Sequence, residues 1–228
     1  MIFSTKPNRK ETLLGAVYLS INLFVLPGLL VAVHNALGAP LTQGKLNFLF
    51  FFLNFAAVSL IFRKYLLTSL RDAMKVPFPT LWYALLGYMG SLLLGQMVSG
   101  FCMALYPDFS NVNDSSILTI LQEDFAPMAI GTVLLVPVAE ETFYRGLIFR
   151  KLYDKNPLAA YLTSMAFFSA IHVMGYVGLY EPMHLLLCFI QYLPAGYCLA
   201  FAYHRSGTIL SPILMHMAIN AAAIYAAR

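Results

Sequence analysis

Long uncharged, apolar segments alternate with short charged ones along the whole chain. A membrane-spanning helix needs about 20 mostly apolar residues. Seven uncharged runs occur, and all but the fourth approach or exceed that length; they cover residues 12–44, 46–62, 76–107, 125–139, 156–180, 182–204 and 206–227. The pattern therefore predicts an all-α fold, a polytopic transmembrane helical bundle of about seven spans.

The fourth run reaches spanning length only if its helix continues to about residue 149. With the N-terminus in the cytoplasm, 11 basic residues then fall in cytoplasmic segments, whereas Lys45 and Arg228 lie outside. Such an excess of Lys and Arg on the cytoplasmic side is the usual bias of membrane proteins. The bias holds only if residues 125–149 form one span. The ionisable groups of "VPVAEETFYRG", residues 136–146, are therefore predicted to lie inside the membrane.

Composition supports a membrane protein. The chain is 60% hydrophobic and only 11% charged, whereas soluble domains carry about 25% charged residues. Its net charge is +4, and its basic residues do not form a stripe interleaved with aromatic residues. No nucleic-acid partner is therefore predicted. Cys102, Cys188 and Cys198 fall in apolar runs without metal-ligand spacing and are interpreted as packing residues. We predict a single integral membrane domain over residues 1–228, surrounded by lipid.

Three ionisable residues within one span need an explanation, because each costs roughly 2.5–3.5 kcal/mol near a bilayer centre. Glu141 and Arg145 are four residues apart and can pair on one helix face, which favours a structural role. Glu140 projects about 100° away from Glu141, toward another partner or toward water. Pro137 removes a backbone donor and is expected to open the helix where a cavity or polar side chains meet the freed carbonyl.

Histidines on two later spans add candidate chemistry. Taken singly, His172 and His216 are more simply explained as helix–helix hydrogen-bonding residues, as are His34, His184 and His204. Combined with the glutamates, they form a candidate hydrolytic set.

A carboxylate and an imidazole can take a proton from water and return it to a leaving amine. A second His with Asn220, four residues after His216, can donate hydrogen bonds to a developing oxyanion. Together they suffice for peptide hydrolysis without a covalent intermediate. Glu140, His172 and His216 also suit a zinc ion, but the usual H-E-x-x-H helix is absent, so no cofactor is predicted with certainty and zinc stays open.

Three short motifs resemble those of the CPBP intramembrane proteases (CAAX proteases and bacteriocin-processing proteins, also called Abi), which include the type II CAAX prenyl endopeptidases. Residues 140–145, EETFYR, resemble the family's E-E-x-x-x-R motif. Residues 168–172, FSAIH, resemble F-x-x-x-H, and residues 216–220, HMAIN, resemble H-x-x-x-N. The motifs follow the family's order within a protease core of about residues 125–223.

The resemblance implies an intramembrane endopeptidase, of glutamate or metalloprotease type, acting on CAAX-like, bacteriocin or signalling peptides or on membrane proteins. It implies that Glu140 and His172 activate water and that His216 and Asn220 bind the oxyanion. The supporting residues would be Glu141, Arg145 and Phe168. The small size of the chain indicates a bacterial plasma-membrane protein, and the charge distribution indicates a cytoplasmic N-terminus; the oligomeric state is left open.

Two alternatives remain at this level: a non-catalytic immunity or scaffold protein on the same fold, and a small transporter or proton relay. The absence of an evident repeat argues against the transporter. Helix geometry also sets a condition on any catalytic site. At 1.5 Å per residue, Glu140 lies roughly 14 Å from a cytoplasmic end near residue 149 and His172 roughly 22 Å from one at residue 157, so the fifth helix is expected to tilt or to start later.

Overall fold

The computed structural model describes residues 3–38 and 41–226, which contain no β-strand and fold into helices throughout. We number ten helices in chain order. Their bounds are α1 Arg9–Phe24, α2 Leu26–Leu37, α3 Gln43–Ile61, α4 Arg63–Lys75, α5 Pro77–Leu105, α6 Val112–Glu123, α7 Phe125–Tyr153, α8 Pro157–Met174, α9 Pro182–Ser206 and α10 Leu210–Ala226. The predicted all-α fold is confirmed.

Five helices are long and apolar enough to cross a membrane: α3, α5, α7, α8 and α9. The pair α1 and α2 counts as a sixth span if its 51° bend is included. The predicted seventh span, α10, is an apolar helix of 17 residues, shorter than the others. The chain is thus an integral membrane protein with a polytopic helical bundle. Arg228, predicted to lie outside the membrane, is beyond the described residues.

Segments predicted to share a side of the membrane meet in the fold. Near the N-terminus, the Ser4 amide donates to the Gly207 carbonyl at 3.0 Å, and the Tyr65 amide donates to Glu11 at 2.9 Å. Segments predicted to lie outside also meet, because the Gly44 amide donates to the carboxylate of Asp124 at 3.2 Å. The grouping agrees with the predicted topology, and the cytoplasmic orientation of the N-terminus stays a prediction.

The centre of the bundle is formed by α7 and α9. Half of the most apolar stretch of α9 and 39% of that of α7 are buried, against 6% for α5. Gly196 on α9 lets the chain pass close to α8, because a Cβ there would lie 3.1 Å from the Met165 Cα. Small residues allow membrane helices to approach in this way. The two central helices are therefore the scaffold on which any buried site is built.

The central helix α7 departs from α-helical geometry in two places. Residues Gly131–Leu135 and Thr142–Phe149 are π-helical and flank the α-helical turn Val136–Glu141. The Val136 amide donates to the Gly131 carbonyl, five residues back. Pro137 follows at once and has no amide hydrogen to donate. The helix is thus widened next to Pro137, where the sequence predicts an opening.

The boundaries of α7 also bear on the predicted difference in depth. The fourth span is confirmed as one helix, but it continues to Tyr153 instead of ending near residue 149. Four added residues lengthen the path from Glu140 to the helix end by about 6 Å. Because α8 begins at Pro157, as assumed, the misplaced end of α7 accounts for most of the mismatch. A tilt of α8 stays a prediction.

Candidate active site

A fully buried ionic network joins α7 to α9 and α10. Glu141 and Arg145 have no exposed side-chain surface and pair at 3.1 Å between Oε1 and NH1. The same Glu141 oxygen accepts a hydrogen bond from His216 Nδ1 at 2.8 Å. The second guanidinium nitrogen of Arg145 donates to the Gly196 carbonyl at 3.0 Å. One oxygen of Glu141, Oε1, therefore compensates the buried charge by contacting both Arg145 and His216, while its Oε2 has no partner among the described residues.

The neighbouring carboxylate, Glu140, is placed differently. Its Oε2 is buried and has no hydrogen-bond partner among the described residues. Its carboxyl group lies within electrostatic range of His216, Glu141 and Arg145. A buried carboxylate oxygen without a donor is costly unless a ligand, a water or a proton completes it. Because Glu141 is ion-paired and Glu140 has no ion pair among the described residues, Glu140 is the member of the pair that remains available.

His172 reaches the same region from α8. Its Nδ1 donates to the Phe168 carbonyl at 2.6 Å, since a carbonyl can only accept. In the neutral ring this leaves Nε2 as an acceptor. The Phe168 ring lies 4.6 Å from the His172 ring and 5.7 Å from the His216 ring, measured between centroids. Phe168 therefore separates and orients the two imidazoles, while the Arg145 guanidinium covers it at 4.9 Å.

Asn220 is anchored to the opening in α7. Its Nδ2 donates to the Thr132 carbonyl at 2.8 Å. In the π-helical register the backbone donor for that carbonyl would be residue 137, which is proline and has none. Asn220 thus satisfies the carbonyl that Pro137 leaves free. One of its two amide hydrogens is used in this way and the other remains for a ligand.

The structure therefore gathers the predicted site residues around His216. Glu140 and His172 each lie within electrostatic range of that ring. Glu141 bonds it directly. Asn220, one helical turn later on α10, contacts the π-helical part of α7.

The residues proposed for zinc do not form a metal centre. Within residues 3–38 and 41–226, no three His, Cys, Asp or Glu side chains are grouped closely enough to hold a metal ion. Glu140, His172 and His216 are among these side chains. The arrangement thus does not fit a resident zinc ion, and no step below depends on one.

The remaining histidines lie elsewhere. His204 accepts or donates hydrogen bonds with the hydroxyls of Tyr153 and Tyr161 at 2.6 and 2.9 Å. His184 Nε2 donates to the Ser110 carbonyl at 2.9 Å at the other end of the bundle. His34 is on α2, and its buried Nδ1 has no hydrogen-bond partner among the described residues. The contacts of His184 and His204 agree with the expected hydrogen-bonding role, and that of His34 does not.

One neighbour of the site carries no sequence signal. The Tyr192 ring of α9 lies 4.2 Å from the His172 ring between centroids. Its hydroxyl donates to Asp114 Oδ1 at 2.5 Å and accepts from Asn113 Nδ2 at 3.0 Å. Tyr192 thereby connects the site to α6. Nothing in its spacing distinguishes it from the other tyrosines, because the contact depends on how α6, α8 and α9 pack.

Comparison with known proteins agrees with the motifs. Residues 122–222, which contain all three, match the family model described as type II CAAX prenyl endopeptidase Rce1-like. A Bacillus subtilis (strain 168) protein named "Putative membrane peptidase YdiL" is 33% identical over 109 residues. The aligned region is 47% of this chain and 40% of that relative, so the chain spans less than half of its length. No solved structure gives a significant match. The resemblance to this family is confirmed for the matched segment.

Proposed function

We propose that this protein is an intramembrane endopeptidase that hydrolyses a peptide bond with water activated by Glu140 and His172. The observation that carries the proposal is that Glu140 is a carboxylate with a buried oxygen and no ion pair among the described residues, beside Glu141, which is ion-paired to Arg145 and bonded to His216. The match of residues 122–222 to the Rce1-like endopeptidases supports the same reaction.

The proposed reaction begins with proton removal from water. Glu140 takes the proton as the water oxygen forms a bond to the peptide carbonyl carbon. His172 assists through its Nε2 lone pair, since its Nδ1 hydrogen is directed to Phe168. When the carbon–nitrogen bond breaks, the same proton passes to the leaving amine. Water is consumed, and an acid and an amine are released.

The charge that develops on the carbonyl oxygen is assigned to His216 and Asn220. His216 uses Nδ1 to contact the Glu141 carboxylate at 2.8 Å, so its Nε2 is the ring nitrogen that can donate to the oxyanion when it carries a hydrogen. Asn220 contributes the amide hydrogen that Thr132 does not use. Donors fixed in advance are worth more in a dry site, because they need no reorganisation during the reaction.

The substrate is proposed to enter from the membrane. An apolar groove of about 520 Å³ is lined by residues of α3, α4, α7 and α10, among them Leu66, Val138 and Met217. Val138 and Met217 are close neighbours in sequence of Glu140 and His216. A peptide carrying an apolar side chain or a lipid near its cleavage site suits such a groove. CAAX-like, bacteriocin and signalling peptides are the substrate classes proposed.

The proposal is tested with Glu140→Gln, which keeps the shape of the side chain and removes its basicity. We expect cleavage of a membrane peptide substrate to fall by about 10²–10⁴-fold, with unchanged expression and thermal stability. Glu123→Gln, the same change at an exposed position on α6, is the control and should cleave normally.

Undiminished cleavage by Glu140→Gln would reject the mechanism. If Glu140→Gln and His172→Ala both kept the cellular phenotype while Glu141→Ala destabilised the protein, the non-catalytic immunity or scaffold role would replace it. Proton-coupled uptake in proteoliposomes would instead support the transporter.

A further inference from the structure

A second cavity, whose lining includes neither Glu140 nor Glu141, lies where the N-terminal segment meets the end of α7. It has a volume of about 380 Å³ and is lined by basic side chains from both segments. Lys6 and Arg9 come from the start of the chain, and Arg150 and Lys151 from the last turn of α7. Gly146 belongs to its wall, and the absence of a side chain there admits the Tyr65 ring, because a Cβ would lie 2.9 Å from it.

The charge of this cavity is poorly compensated. Asp154 is the acidic residue in its lining, and it pairs with Arg150 at 2.6 Å. Within the described part of the chain, no ion pair is formed by Lys6, Arg9 or Lys151. Three cations thus face one space without a counter-charge.

Glu11, two residues after Arg9 in the sequence, is bonded within the fold. Glu11 is buried, and its two oxygens accept from the backbone amides of Asn8 and Tyr65 at 2.9 Å each. Asn8 in turn caps α1 through the Glu11 amide. This capping box fixes the start of α1 and therefore the position of Arg9. The cavity is built on an ordered segment and not on a free terminus.

Arg150 is held in the wall by two further contacts. Its guanidinium lies over the Phe3 ring at 4.7 Å, and Phe3 is buried against Tyr203. The N-terminal segment, α7 and α9 therefore meet directly below the cavity. Because α1 begins and α7 ends here, we expect the cavity to lie at the level of a membrane surface.

We propose that this cavity binds the phosphate group of an anionic membrane lipid, independently of the proposed peptidase activity. Clustered Lys and Arg side chains beside a membrane-spanning helix attract anionic lipids, and basic pockets between helices bind their phosphate headgroups. Arg150 offers a planar donor set, and Lys6 and Lys151 supply point charges. The volume accommodates a headgroup, while the acyl chains run along the outer surface of the bundle.

The test compares two double variants of the full-length protein in zwitterionic nanodiscs. Arg9→Gln/Lys151→Gln removes two charges from the cavity. Lys10→Gln/Lys155→Gln removes two exposed charges from the same end of the molecule, neither of which lines the cavity. Binding of phosphatidylglycerol, phosphatidylcholine and inorganic phosphate is measured by native mass spectrometry and by thermal shift.

We expect saturable binding of phosphatidylglycerol to the wild-type protein, weakened about tenfold or more in the cavity variant. The control variant should keep wild-type affinity. Equal weakening in both variants would show attraction by overall charge and overturn the site. Equal binding of phosphatidylcholine would also overturn it. Inorganic phosphate that saturates the protein, with no gain from the lipid, would overturn the lipid as the source of the anion.

Discussion

The two faces of α7 place adjacent carboxylates in opposite situations. Toward α9 and α10, Glu141 is completely buried and bonded to Arg145 and His216. Around the helix, Glu140 has a buried oxygen with no donor among the described residues. Glu141 also has an unpartnered oxygen, so the difference lies in ion pairing: Glu141 is ion-paired, and Glu140 has no ion pair among the described residues. We propose that the carboxylate without an ion pair carries the chemistry.

The largest effect expected from this comparison concerns stability. Glu141→Ala leaves a buried guanidinium and imidazole without their acceptor, which typically costs about 3–5 kcal/mol. Glu140→Ala removes a carboxylate that makes no hydrogen bond through Oε2 and should be nearly neutral or stabilising. Unfolding of both variants by titration with SDS in mixed micelles gives the two free energies. Equal losses of unfolding free energy in the two variants would show that Glu140 and Glu141 contribute equally to stability.

A smaller loss of unfolding free energy is expected when Arg145, the basic residue of the network, is changed. Arg145→Lys can still reach Glu141, but it cannot donate to Gly196 at the same time in the geometry of the guanidinium. Losing one hydrogen bond from a charged donor should cost about 1.5–3 kcal/mol of the unfolding free energy. Arg205→Lys, at an exposed residue, is the matched control and should change it by less than about 0.5 kcal/mol. A loss no greater than that of the control would mean that the Gly196 contact contributes nothing.

The sequence allowed prediction of features that depend on spacing along one helix. The Glu141–Arg145 pair follows from their separation of four residues, and the opening of α7 follows from Pro137. Charge distribution correctly joined residues 125–139 to the following glutamates in a single helix.

Contacts between helices could not be predicted, because they depend on rotation and packing that periodicity does not set. The bond from His216 to Glu141 and the Tyr192 ring against His172 are of this kind. The sequence predicted a contact of Glu141 with Arg145 only, whereas in the fold Glu141 also accepts a hydrogen bond from His216. The role of Asn220 in satisfying Thr132 depends equally on the packing of α10 against α7.

An effect of intermediate size is expected for Asn220, because it bonds the Thr132 carbonyl that Pro137 leaves without a backbone donor. Asn220→Ala leaves the Thr132 carbonyl without a donor and should cost about 1–3 kcal/mol. Pro137→Ala supplies an amide that can bond this carbonyl within the helix. In the Pro137→Ala background, Asn220→Ala should therefore cost less, with a coupling energy of about 1 kcal/mol. The double-mutant cycle is measured by the same SDS titration, and additive effects would reject the link.

The smallest effect concerns the outer side of the site, where Asp114 holds the Tyr192 hydroxyl. Packing around its carboxyl raises the pKa of Asp114, against the opposing effect of hydrogen bonds from Tyr192 and Asn113. The folded protein then binds this proton more tightly than the unfolded chain does. The resulting stability is fully present below about pH 4 and is lost as pH rises through the folded pKa.

Asp114→Asn removes this titration while keeping an acceptor for Tyr192. Thermal unfolding curves between about pH 4 and pH 7 should show the wild-type protein losing stability relative to Asp114→Asn as pH rises. The difference should amount to only about a few tenths of a kcal/mol, because the residue is partly exposed to solvent. Asp108→Asn, in the loop before α6, is the control and should leave the wild-type pH dependence unchanged. A wild-type protein that gains stability relative to Asp114→Asn over this range would show that hydrogen bonding outweighs burial. In that case α6 would hold Tyr192 best through an ionised carboxylate.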